Sequence, residues 1–211
     1  YVKRGDWQKV LELYRHCLDS LLQNKENKHL DRKGLPGAIA LYTMFVGNAQ
    51  DKLGKKPEGR ENVEKGLNLY LANLKKYENL AADILYAPEF LLPAMNYYVE
   101  NDEKSKAADL FQKEYINRVE MFLQKNPNDL GMLQRLADGF QQKGDVLSGF
   151  QNESMSETNS GFLQEALENY KKSMEQLQKI LLLGEPAPVI KKKREEVEQK
   201  IELIRPALKG N

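Results

Sequence analysis

Apolar residues in this chain recur at helical spacing and almost never alternate with polar ones. Val10, Leu13, Tyr14, Cys17, Leu18 and Leu21 follow the i, i+3, i+4, i+7 order of a helix that buries one stripe. Leu67, Tyr70, Leu71 and Leu74 do the same, as do Ala107, Leu110 and Phe111, and then Ala166, Leu167, Tyr170, Met174 and Leu177. No stretch alternates over six or more positions as a half-buried strand would. The choice among apolar side chains points the same way. Leucine, which keeps its rotamer freedom in a helix, occurs 31 times against 16 for valine and isoleucine together. At 211 residues and 41% apolar content, the chain has enough material for a real core. The fold class that follows is all-α.

Helix breakers divide the pattern into about eight helices, near 6–23, 36–52, 61–84, 88–100, 102–125, 129–143, 162–183 and 187–206. Pro36 and Pro88 suit a first helical turn, where the missing N–H costs nothing. Asn128 or Asp129 can cap the helix after Pro127, and Gly184 before Pro186 can end the seventh. Pro93 falls inside the fourth helix and predicts a kink or a boundary there. The stretch 147–161 (LSGFQNESMSETNSG) reads as a flexible surface insertion. Its Asn152-Glu153-Ser154 sequon and its Ser154 and Ser156 are short patterns of the kind any such loop contains. The helix at 187–206 reads as a cap, with Val189, Ile190, Val197, Ile201 and Ile204 turned inward and Lys191-Lys192-Lys193-Arg194 on its charged face.

An internal repeat underlies the helices. Gly5-Asp6, Asn101-Asp102 and Gly144-Asp145 share one junction chemistry: a residue able to take positive φ, then a carboxylate able to cap the next helix. A small or short residue and an aromatic one turn later recur as Val10/Tyr14, Gly66/Tyr70, Ala107/Phe111 and Ala166/Tyr170. The small residue lets two helices approach while the ring fills the wedge beside them. Upstream of two junctions lie Phe90, Ala94 and Tyr97, and then Leu133, Leu136, Ala137 and Phe140.

On these residues the chain resembles the tetratricopeptide repeat. Leu133-x-x-Leu136-Ala137-x-x-Phe140 before Gly144-Asp145 is similar to that family's first helix and turn. Ala166-x-x-x-Tyr170-x-x-Ser173 is similar to its second helix. Gly5-Asp6-Trp7 with Val10, Tyr14 and Cys17 is similar to a turn and second helix. On that alignment Tyr1 takes the first-helix aromatic position, so the chain is expected to be a fragment of a longer one. The spacing is uneven, with anchors 56, 41 and 59 residues apart at Val10, Gly66, Ala107 and Ala166. Glu114 also stands where a small residue is usual. The resemblance implies one helical-repeat domain over 1–211, built of stacked antiparallel helix pairs in an α-α superhelix, since no pair buries its apolar side alone.

The resemblance also implies a function: a scaffold that holds a peptide or helix of a partner protein in a concave groove. The groove positions carried over are Leu91, Met95 and Tyr98 in one pair and Gln134, Asp138 and Gln141 in the next. The Lys and Asn with which some members of the family clamp carboxy-terminal tails are missing there. An apolar and amide lining favours an extended peptide or helix instead. Met95 and Tyr98 equally suit packing against the neighbouring pair. A second function class is a non-catalytic helical accessory part of a larger enzyme or of a membrane-anchored or periplasmic protein.

The remaining residues argue against chemistry of the chain's own. His16 and Cys17 are adjacent and point about 100° apart on a helix, so they form no dyad. With His29 they match no zinc spacing. Gly54-Lys55-Lys56 lacks the other parts of a phosphate loop, and no cofactor is expected. Lys+Arg 32 against Asp+Glu 31 leaves a net charge of +1, too little for a dedicated nucleic-acid binder. No apolar run approaches the ~20 residues of a membrane span. The compartment, cytoplasmic or exported, is left open, because one cysteine decides nothing about disulfides elsewhere.

Overall fold

A computed structural model describes residues 5–26, 35–74, 80–149, 160–184 and 188–209. Among them the regular structure is entirely helical. We number the helices α1 (Trp7–Glu26), α2 (Leu35–Lys52), α3 (Lys56–Leu74), α4 (Leu80–Glu100), α5 (104–125), α6 (Leu130–Ser148), α7 (Ser160–Leu182) and α8 (Pro188–Lys209). The all-α class and the set of eight agree with the apolar periodicity. Contacts divide the chain into two compact units, Tyr1–Asn101 and Asp102–Asn211.

In the first unit α1 lies antiparallel on α2. Tyr14 stacks on Phe45 with ring centres 5.0 Å apart, and the Lys52 ammonium sits 5.9 Å from the Trp7 ring. Val10, Leu11, Val46 and Ala49 are buried beneath them. α2 and α3 also run antiparallel, at very close range. A Cβ on Gly47 would meet the Gly59 carbonyl oxygen at 2.6 Å, and one on Gly66 would meet the Ala40 carbonyl oxygen at 2.6 Å. α4 returns parallel to α2: Asn48 Nδ2 donates to the Pro93 carbonyl (3.0 Å), and Lys52 pairs with Glu100 (3.0 Å). Tyr70 of α3 stacks on Phe90 of α4 at 5.0 Å.

In the second unit α5 contains one π turn, Gln112–Ile116, and its Tyr115 and Ile116 pack against Gly139 of α6. The extra residue of a π turn widens the helix locally, and a glycine opposite leaves room for it. α7 lies antiparallel on α6, with Ser173 Oγ donating to the Ala137 carbonyl at 2.8 Å. α8 packs antiparallel on α7 through buried Ile190, Val197, Ile201 and Ile204. Val189, expected on that inner face, is 57% exposed, because it precedes the stripe by one position and turns outward.

Several boundaries differ from the sequence expectation. The third helix opens at Lys56 rather than near residue 61, and the break expected between 84 and 88 lies inside α4. Pro88 does not open a helix, and Pro93 does not end one, since α4 runs through both. Each proline removes one helical N–H. Here the loss is outweighed by burial of Ile84, Ala87, Leu91, Ala94, Met95, Tyr97 and Tyr98. Gly5 takes positive φ (69°) and Asp6 Oδ1 accepts from Lys9 N, as the junction chemistry requires. At the second junction the positive φ falls on Asp102 (61°) instead of Asn101, whose side chain donates to the Tyr97 carbonyl. The third is no junction. Gly144 and Asp145 lie inside α6, which continues to Ser148 and ends on Gly149 at φ 81°. Leu147 and Ser148 therefore belong to a helix and are buried, while Asn152, Ser154 and Ser156 lie outside the described residues, as does His29.

Asp129 is the cap that the sequence offered for α6, its carboxylate accepting from Met132 N at 2.9 Å. Asp129→Ala should cost about 1 kcal/mol in urea unfolding followed by far-UV circular dichroism. Asp129→Asn should cost far less.

Candidate functional site: the seam between α6 and α8

The six positions proposed for a groove separate by burial. Leu91, Met95 and Tyr98 are closed to solvent, at 0%, 1% and 1% exposure. They are packing residues of α4, so the expectation that they face a partner is corrected. α4 is apolar around most of its circumference, and periodicity alone cannot tell a groove face from a covered one. Gln134, Asp138 and Gln141 are all half-buried on α6. With Asp145 they follow 4-3-4 spacing and therefore share one face.

That face meets α8. Both Asp138 oxygens accept from Lys193 Nζ (2.7 and 2.8 Å), and both Asp145 oxygens accept from Lys200 Nζ (2.7 and 2.7 Å). The aspartates are seven residues apart and so are the lysines, which makes α6 and α8 parallel and in register. Two partly exposed ion pairs contribute little to stability by themselves. Their use is to fix which residues stand opposite one another, because a slip of one turn would strand both carboxylates. Gln134 and Gln141, on the same stripe, keep side-chain amides with no hydrogen-bond partner among the described residues.

At the end of the seam α7 contributes Tyr170, which is fully buried. Its hydroxyl donates to Asp145 Oδ1 at 2.7 Å, and Ser148 Oγ lies 3.1 Å from the same phenol oxygen. Lys200 Nζ stands 5.9 Å from the ring centre. A serine, a tyrosine, a lysine and an aspartate are thus in contact. Burial, then the Asp145 charge that receives its proton, drives the Tyr170 hydroxyl far above the usual phenol range. A phenol held protonated and shut away from water is neither base nor nucleophile. The cluster is a structural brace across three helices.

A second polar bridge joins α5, α6 and α7. Lys143, 8% exposed, donates to Gln112 Oε1 (3.2 Å) and pairs with Glu165 (3.1 Å). Glu114 in the π turn is buried and pairs with Arg118 at 2.9 Å. Its acceptance at a position expected to be small follows from that partner. His16 is exposed, and Cys17 beside it is a half-buried free thiol. Among the described residues no three His, Cys, Asp or Glu side chains stand together as metal ligands, and no helix is long and apolar enough to cross a membrane.

Asp138 stands out in the sequence, but its ties do not. Lys193 and Lys200 read as members of a solvated charged face, although their seven-residue spacing repeats that of Asp138 and Asp145. Set against protein-family models, curated proteins and solved structures, the chain has no match in any of the three.

Proposed function

We propose that the chain is a tetratricopeptide-like interaction module whose second unit holds an extended peptide of a partner protein along the α6–α8 seam. The layering supports this reading. In each unit a central helix, α2 or α6, has an antiparallel neighbour before and after it in sequence, and the next helix returns parallel to it. The observation that carries the proposal is the pair of unspent amides. Gln134 and Gln141 are two turns apart, about 10.5 Å along α6, close to the ~10 Å spanned by three residues of extended chain. Each amide offers a donor and an acceptor, the complement of a peptide unit. Between them the Asp138–Lys193 pair is neutral overall, so the surface selects backbone rather than a charged tail.

The test is a displayed library of 15-residue peptides screened against the 211-residue chain. Peptides selected by the parent should bind Gln134→Ala/Gln141→Ala about tenfold or more weakly, from two lost hydrogen bonds of about 1 kcal/mol each. Circular dichroism should be unchanged. Equal binding by parent and double variant would remove the seam as the site.

A further inference from the structure

Two glutamine amides would hold a backbone of any sequence, so by themselves they choose no side chain. The residue after Gln134 can. Arg135 lies about 100° round α6 from Gln134. Ala137, whose carbonyl meets α7, is two residues on and so on the opposite side of the helix. Gln142 falls seven residues beyond Arg135 and shares its face. Both are half-buried, and from Met132 to Ser148 α6 has no exposed residue. The open face of this helix is a floor rather than a ridge.

Arg135 brings to that floor a charge with nothing to balance it. It forms no ion pair among the described residues. Asp138 is the only acidic side chain within one turn of it on α6, and both Asp138 oxygens are taken by Lys193 at 2.7 and 2.8 Å. Tyr115 of α5 is also near: its hydroxyl donates to the Arg135 carbonyl at 3.4 Å, and the guanidinium is close enough to act on the phenol. Burial nonetheless raises the phenol above its usual range, so Tyr115 offers no negative charge. The remaining charges of the seam cancel in pairs, Asp138 with Lys193 and Asp145 with Lys200. One positive charge is left over, on a planar group whose donors form a fixed fork. A half-buried guanidinium has given up part of its hydration, and a carboxylate accepting two parallel hydrogen bonds replaces it best.

We propose that Arg135 selects an aspartate or glutamate side chain in the extended peptide held by Gln134 and Gln141, at the end of the bound segment next to Gln134. The inference rests on the seam reading above and adds the partner's chemistry to it. The amides hold backbone, and one acidic side chain sets the register. A single carboxylate matches the single surplus charge, whereas a phosphate dianion exceeds it.

Peptides of 15 residues selected by display against the 211-residue chain should align on one Asp or Glu. Changing that residue to Asn or Gln in the tightest peptide should raise Kd about tenfold against the parent chain. Against Arg135→Gln the same change should alter Kd by less than about twofold, which isolates the pair. The substitution is made in the peptide, so a folding defect cannot imitate it. Against Arg135→Glu, a peptide with Lys at that position should bind better than the acidic one, reversing the parent's order. Gln134→Ala/Gln141→Ala should weaken the acidic and neutral peptides by the same factor. Selected peptides with no shared acidic position, or an acidic preference that survives Arg135→Gln, would overturn the inference and leave the seam standing. Tighter binding of phosphoserine than of Glu at that position would overturn the carboxylate. If neither peptide responds to the double glutamine variant, the seam falls, and the role of Arg135 falls with it.

Discussion

Gly66→Ala is expected to destabilise the first unit by about 3 kcal/mol, and Gly47→Ala by a similar amount. The sign is the informative part. In an exposed helix interior the same change stabilises by up to about 1 kcal/mol, because alanine is the better helix former. Here the added methyl of Gly66 would lie 2.6 Å from the Ala40 carbonyl oxygen and 2.9 Å from Met44 N, and that of Gly47 would lie 2.7 Å from Val63 N. These are backbone atoms of the facing helix, and they cannot swing aside as a side chain can. The helices must separate, which loosens the packing of Ala40, Met44, Val63 and Leu67 along the whole pair. Gly131→Ala in the second unit is the control. Its methyl would have only Asp129 Oδ1 at 3.4 Å, and a gain of about 0.5 kcal/mol is expected. Urea unfolding followed by Trp7 fluorescence reads the first unit, since Trp7 is the only tryptophan and packs on the α1–α2 cluster. Unchanged or raised stability in Gly66→Ala would mean that α2 and α3 are not in backbone contact.

Those glycines also mark where sequence reading stops. The Gly66/Tyr70 pair was legible as a small residue beside an aromatic, because that spacing lies within one helix. Gly47 and Gly59 carry no such local sign, and their meaning comes from each other across the α2–α3 interface. Gly144 shows the converse error. A glycine before an aspartate is good chemistry for ending a helix, yet a Cβ there would meet the Tyr170 ring at 2.7 Å, and Asp145 receives the Tyr170 proton. The pair serves packing between α6 and α7, so the helix runs on. Pro88 misled in the same way, since tertiary burial of α4 overrides the local penalty. Of the candidate site, the stripe Gln134, Asp138 and Gln141 was legible from spacing within α6. Lys193 and Lys200 lie 55 residues from their aspartates, and only the fold brings them together. Leu91, Met95 and Tyr98 were legible as a face, but a face of an all-round apolar helix is usually core.

The Tyr170 brace has a pH dependence with a definite sign. In the unfolded chain the phenol ionises near 10, as an ordinary tyrosine does, whereas in the folded unit burial and Asp145 hold the proton well past that point. The folded state therefore binds this proton more tightly. Its contribution is complete below pH 10 and is lost as pH rises above 10, at up to about 1.4 kcal/mol per pH unit. Tyr170→Phe cannot ionise and should not lose stability by this route. At pH 7 the variant forfeits the hydroxyl's bond to Asp145, but both Asp145 oxygens keep Lys200, so its cost is about 1 kcal/mol. The parent begins ahead and declines, while the variant begins behind and declines less, so the two stability curves should cross near pH 11. Tyr115, also raised mainly by burial, remains in both proteins and cancels in the comparison. Urea unfolding by far-UV circular dichroism from pH 7 to 11.5, with Trp7 emission separating the first unit, gives both curves. Parallel curves would mean that Tyr170 ionises as freely folded as unfolded, and the brace at the end of the seam would then not be closed to water.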